Sequence, residues 1–226
     1  MTRAPDSTAA AGPVTAVGAA DVTAAVDACT AVLRGGLPAD WSRPAGTLAW
    51  DCRSTLLHVN SDLFAYAGQL AGRFTGGYIP LDVREDDGAD VDGLLQAVTA
   101  TGGMLAAVVA ATPAGVRAYH PYGASDPEGF AAMGIVEVLV HTHDIAAGLG
   151  LLPWEPPSDL CAKVLRRLFP EAPRDTAPWP ALLWATGRGE LPGLPRREGW
   201  RWHGTPLGDA PEAPTPSARA GADVRE

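Results

Sequence analysis

The sequence predicts an all-α fold, a four-helix bundle followed by short additional C-terminal helices, and three observations carry the prediction. Four segments of bundle length repeat apolar residues at helical spacing. Two of them open on aspartates placed as N-caps, Asp51 and Asp126, and Gly and Pro punctuate the chain around them. The last of the four carries a glutamate and a histidine four residues apart, the kind of pair a bundle presents to its core or mouth.

Residues 1–12 read as a disordered leader, and residues 13–152 as the bundle. The first helix, over 21–34, carries Val22, Ala25, Val26, Cys29, Val32 and Leu33 and ends at Gly35-Gly36. A connector with Pro38, Trp41 and Pro44 leads to a second helix, from Asp51 to about Gly72, with His58 in its second turn. Residues 74–88 hold Gly76-Gly77, Pro80 and the acidic run Glu85-Asp86-Asp87, and read as a loop with a short strand near 78–81. A third helix follows over 90–112, weakened at Gly102-Gly103 and stopped by Pro113. Residues 116–122 read as a brief strand, and Asp126-Pro127 opens the fourth helix. Pro153, Pro156 and Pro157 close the bundle. An extension over 153–203 is expected to add helices near 158–169 and 179–186 and to pack on the bundle. Residues 204–226, low in apolar content, read as a disordered tail.

The 226 residues, 46% hydrophobic and 19% charged, are enough to bury a sizeable core. A net charge of -9 argues against nucleic acid and against anionic membrane surfaces as partners. Residues 1–150 hold 16 acids and 7 bases, whereas 151–203 hold 6 and 8, so an anion-binding arginine is better sought in the later region. Cys29, Cys52 and Cys161 form neither a disulfide framework nor a metal pattern, which suits a reducing, cytoplasmic setting. No export signal and no run of about 18 apolar residues is read from the chain. Basic residues are 16 Arg against the single Lys163, the bias of a GC-rich, actinobacterial source. A monomer or homodimer acting on a small molecule is expected.

Residues 134–150 organise the chemistry. On a helix, Glu137 and His141 lie about 40° apart around the axis and one turn along it, stacked as helices stack metal ligands. Asp144 follows His141 at i+3, where it could orient the imidazole, while His143 points elsewhere. As a strand, the segment would instead put Glu137, His141 and His143 on one face, and Val138, Leu139 and Val140 keep that alternative open. A Glu–His pair at i,i+4 is commonly a surface contact of little worth. Here Val136, Val138, Leu139, Val140 and Ile145 leave hardly any solvent-facing stripe, so Glu137 would be buried. A cation is one of the few partners that make a buried carboxylate tolerable. His58, the one histidine inside another helical segment, is the obvious third ligand, though a lone core histidine is more often simply hydrogen-bonded. Two imidazoles and one carboxylate leave positions open for water or substrate, and suit Zn²⁺, Fe²⁺, Ni²⁺ or Mn²⁺. His120 reads as a residue lining a cleft. Arg84, Arg188 and Arg201 are candidates for a substrate carboxylate, and Cys52 reads as a packing residue whose thiol the helix dipole could activate.

The stretch Thr47-Leu48-Ala49-Trp50-Asp51-Cys52-Arg53-Ser54-Thr55-Leu56-Leu57-His58 resembles the opening of the metal-binding helix in the mycothiol-dependent maleylpyruvate isomerase family, part of the DinB-like superfamily. Glu137-Val138-Leu139-Val140-His141-Thr142-His143-Asp144 resembles that family's second signature. Leu165-Arg166-Arg167-Leu168-Phe169-Pro170 and Leu182-Leu183-Trp184-Ala185-Thr186-Gly187-Arg188 look like the tail of its short actinobacterial members. The resemblance implies a DinB-like bundle, a divalent metal (typically zinc) on His58, Glu137 and His141, with Asp144 behind His141, and mycothiol as cosubstrate. From the residue readings above, Arg84, His120 and Arg188 are assigned to a substrate or thiol pocket. The full isomerase carries a separate C-terminal domain, where this chain has the short extension.

The expected function is therefore a metal-dependent, thiol-using S-transferase or cis–trans isomerase. A metal-dependent hydrolase or Fe-dependent biosynthetic enzyme on the same fold is the first alternative. A non-catalytic metal- or ligand-binding stress protein is the second.

Overall fold

A computed structural model describes residues 15–206, 208 and 209. The expected leader and most of the expected tail lie outside these residues. The elements are α1 (Ala19–Leu33), a 3₁₀ turn (Arg34–Gly36), α2 (Cys52–Gly72), α3 (Val91–Ala111), α4 (Pro127–Leu149), α5 (Ser158–Leu168) and α6 (Pro178–Ala185). The first four form the bundle, and the last two belong to the extension. Among the described residues there is no strand.

Capping sets where the helices begin. Asp51, Asp90 and Asp126 hold extended backbone, and their carboxylates accept from the N–H groups of Ser54, Gly93 and Gly129 at 2.6–2.8 Å. Pro127 fits the first turn of α4, where its missing N–H costs nothing. At the other end Gly150 turns left-handed, with φ 74°.

α4 is the central helix. Twenty of its 23 residues are buried, and it packs against α1, α2, α3 and α5. Two glycines let it approach its neighbours: a Cβ on Gly134 would collide with Leu105 of α3, and one on Gly148 with Pro44 and Cys52 at the head of α2. Segment 134–150 is thus helical. The strand alternative fails because a central bundle helix, buried all round, loses the polar face that would advertise its period.

Three local expectations are corrected. Gly102-Gly103 does not weaken α3, because Gly102 lies against Val26 of α1 where no Cβ would fit. The expected strand near 78–81 is a loop stitched by the buried Gln69, whose amide donates to the carbonyls of Gly77 and Tyr119 and accepts from Ile79 N–H. The expected strand over 116–122 reduces to the isolated bridge between Ala118 and Ser125.

The folded part runs past residue 203. Buried Arg167 of α5 donates to Asp126, Ser125 and the carbonyls of His203 and Gly204. Ser125 Oγ also donates to Gly204 O, at 2.6 Å. The extension is therefore tied to the N-cap of α4.

By length and mean hydropathy alone, α3 and α4 are apolar enough to cross a bilayer, a test that a buried core helix also passes. For α4 the cause is burial, since 89% of its most apolar window lies inside the protein. α3 is mostly uncovered, and its outward face is made of small residues such as Thr99, Ala100 and Gly103, with Met104 the one large apolar side chain exposed there.

Candidate metal centre

α2 and α4 bring three ligand-type side chains together. His58, Glu137 and His141 each offer one donor atom, and these atoms all lie within 4.8 Å of one another. Glu137 Oε2 stands 3.1 Å from His141 Nε2 and 3.8 Å from His58 Nε2. Donors bound to one ion at about 2.0–2.2 Å stand roughly 3–4 Å apart, so the spacing fits a single cation. The His58 and His141 rings meet edge-on, 5.1 Å apart, and the Trp50 ring lies 4.8 Å from His58 on the other side.

The decisive atom is His141 Nε2. The residue is 1% exposed, and this nitrogen makes no well-aligned hydrogen bond, its near neighbour being the Glu137 carboxylate oxygen at 3.1 Å. A buried ring nitrogen gains from a better-placed partner. A cation between the three donors would supply one. The residues present fit a metal ion.

The rest of the cluster orients this set. His141 Nδ1 lies 3.1 Å from Asp144 Oδ2. Arg188 brackets the same carboxylate: its Nε reaches both oxygens at 3.0–3.1 Å, and its Nη2 reaches Oδ2 at 2.8 Å. Burial works against charge on His141, but the hydrogen bond its Nδ1 donates to Asp144 and the carboxylate of Glu137 outweigh it and lift the imidazole to about 9. Burial would raise Glu137, yet His141, His58 and Arg188 hold its carboxyl below the ordinary value. Asp144 is likewise held low, by His141 and Arg188 against burial. His58 goes the other way. Burial lowers it to about 4 despite Glu137, so it is a neutral imidazole.

The other expected site residues fare differently. Arg84 is not brought to the centre; it sits in the exposed loop after α2, its side chain 85% exposed and facing Asp82. His120 is buried rather than lining a cleft, held among Tyr66, Tyr78, Tyr122 and Trp202, and its Nδ1 accepts from Tyr122 N–H. Arg188 does reach the centre, but its fork is occupied by Asp144. Arg201 is exposed over the Tyr122 ring. His143 turns away from the three donors and packs on Trp179. Cys52 is a packing residue: burial pushes its thiol up to about 11, against the activation considered from the helix dipole.

One residue escaped the sequence reading. Asp62 Oδ2 lies 3.2 Å from His58 Nε2, four residues on along α2. The signal is a His-x-x-x-Asp spacing on α2, the counterpart of Glu-x-x-x-His on α4.

No curated protein and no solved structure matches the chain. Residues 19–146 match the family model described as mycothiol maleylpyruvate isomerase N-terminal domain. That span takes in α1 to α3, nearly all of α4 and all three clustered donors, so the chain belongs to this family.

Proposed function

We propose that the protein is a divalent-metal-dependent enzyme using a low-molecular-weight thiol, mycothiol, as cosubstrate for S-transfer or cis–trans isomerisation of a small electrophile. The observation that carries this reading is the convergence of His58, Glu137 and the buried His141 within 4.8 Å, with His141 Nε2 making no well-aligned hydrogen bond. The family's description supplies the thiol. His58, Glu137 and His141 would hold the ion, with Zn²⁺ first and Fe²⁺, Ni²⁺ or Mn²⁺ as alternatives. Such an ion, when bound, lowers the pKa of a coordinated thiol and supplies a nucleophile near neutral pH.

The chain's own residues have definable parts. Asp144 fixes the His141 ring, and neutral His58 offers a lone pair at any pH above its depressed pKa. Tyr66, packed between His120 and Phe130, stays protonated, because burial and the nearby Asp62 and Glu137 oppose its ionisation. A thiolate adding to an alkene carbon moves the π pair to the neighbouring carbon and leaves a rotatable single bond. Expulsion of the thiolate restores the alkene in the other geometry; protonation of that carbon instead leaves the thioether.

A cleft of about 900 Å³ reaches Arg188, which pairs with Asp144 behind the centre, and is walled by residues 47–49, Tyr122, 186–188 and 196–201. Arg196 and Arg201 stand on this wall, and neither pairs with a carboxylate among the described residues. In a chain of net charge -9, such a wall favours an anionic substrate or thiol. Loss of an activated alkene, followed with and without added mycothiol on protein of known metal content, tests the reading. Turnover strictly dependent on the thiol supports it; turnover without thiol indicates hydrolysis or oxidative chemistry, and a protein that takes up no metal indicates a non-catalytic role.

A further inference from the structure

The three donors, and Asp144 behind His141, lie within the residues the family model covers, but the arginine that brackets Asp144 does not. Arg188 follows α6 in the extension, 44 residues beyond Asp144. Its placement is built into the chain. Helix α6 ends at Ala185, Gly187 turns left-handed at φ 69°, and a Cβ at Gly187 would meet the Trp200 ring and the Arg197 carbonyl. The turn sends the next side chain back to α4, and Arg188 Nη1 donates to the Thr186 carbonyl at 3.0 Å. Its remaining nitrogens face Asp144, Nη2 also standing 3.5 Å from His141 Nδ1, with both side chains of the pair at most 7% exposed.

A buried ion pair is weak evidence for stability, since apolar side chains of similar volume commonly serve as well. Here the pair does something apolar groups would not. It holds a carboxylate against His141 Nδ1 and thereby aims Nε2 at Glu137 and His58. Resting on the metal reading above, we infer that Arg188 is a positioning residue for the centre. The extension thus completes a site whose ligands all belong to the bundle.

The test uses the full chain loaded with Zn²⁺, or with Co²⁺ as a spectroscopic probe, and follows metal loss to a chromogenic chelator. Arg188→Gln should lose zinc about 10–100-fold faster than wild type, the range seen when partners behind metal ligands are removed. It should also shift the Co²⁺ visible bands while helical circular dichroism is unchanged. Arg188→Lys, a point charge without the fork, should fall between the two. Asp144→Asn should match Arg188→Gln, and the double variant should lose metal no faster than Asp144→Asn alone, because both changes cut one chain of contacts. Additive losses, or wild-type zinc loss and cobalt spectrum in a folded Arg188→Gln, overturn the inference and leave Arg188 a clamp for the extension. Should wild type take up no metal, the metal reading falls, and the metal-free protein still decides the positioning role. There the His141 Nδ1 proton, followed by NMR, should exchange with water faster in Arg188→Gln, and an unchanged rate overturns the inference.

Discussion

The most direct perturbation of the centre is pH, because a cation and a proton compete for one nitrogen. In the metal-free protein the carboxylates of Asp144 and Glu137 raise His141 to about 9, so Nε2 is protonated at neutral pH. At pH 7 roughly one centre in 100 presents a free lone pair, and apparent metal affinity should be about 100-fold below its plateau above pH 9. That factor corresponds to about 2.7 kcal/mol. His58 adds nothing above pH 6, being already neutral with its pKa lowered to about 4, and Glu137 is already ionised. Zinc affinity should therefore rise tenfold per pH unit between 6 and 8, a slope of one. Competition against a chelator of known pH dependence measures this, and calorimetry in buffers of different ionisation enthalpy should register about one proton released per zinc at pH 7. A flat profile would mean that His141 is not a ligand or is not held charged. A slope of two would mean that a second group must lose its proton, and the electrostatics given for His58 would be wrong.

The metal-free protein should itself have a peaked stability profile. His58 and His120, lowered to about 4, contribute stability that is present above 6.5 and lost as pH falls through 4; His141, raised to about 9, contributes stability that is present below 6.5 and lost as pH rises through 9. Urea midpoints at pH 4.5, 6.5 and 9.5 should be highest at the middle value. His58→Ala and Glu137→Ala should each abolish zinc retention with helical content largely intact, whereas His143→Ala should keep the metal; metal analysis decides, and loss of zinc in the His143 variant would refute the ligand set. Gly134→Ala forces a methyl into Leu105 and should cost about 1–3 kcal/mol by urea unfolding.

Much of this was readable from sequence. Apolar spacing and aspartate N-caps located four bundle helices and two shorter ones to within a few residues, since these signals are local. What failed was decided by contacts far along the chain. Gly102 is tolerated in α3 because of Val26 on another helix, and the loop near 78–81 takes its shape from Gln69 and from the carbonyl of Tyr119. Both features have their cause outside the window in which propensity is read. The Glu137–His141 pair was legible because i,i+4 spacing on a helix is itself geometry. Pairing it with His58 relied on the scarcity of helical histidines and on family resemblance. Arg84 shows the weakness of assigning arginines by type alone, since charge says nothing about where a loop will carry it.

The reassignment of Arg188 has a wider consequence for how the chain divides. Residues 19–146 match the family, contain every clustered donor and would pass for the whole functional unit. Yet the His141 ring is held by Asp144, and the same carboxylate accepts from a guanidinium 44 residues beyond it. A bundle cut after α4 would keep the three donors but lose the guanidinium that brackets Asp144, leaving the carboxylate held by His141 and no longer by the extension. A carboxylate with fewer partners is held less firmly, and so is the imidazole it orients. The extension is also the part that carries Arg196 and Arg201 to the cleft. One segment therefore aims the centre from behind and builds the wall beside it. Changes in the extension can reach Asp144 and the cleft wall without touching any of the three clustered donors.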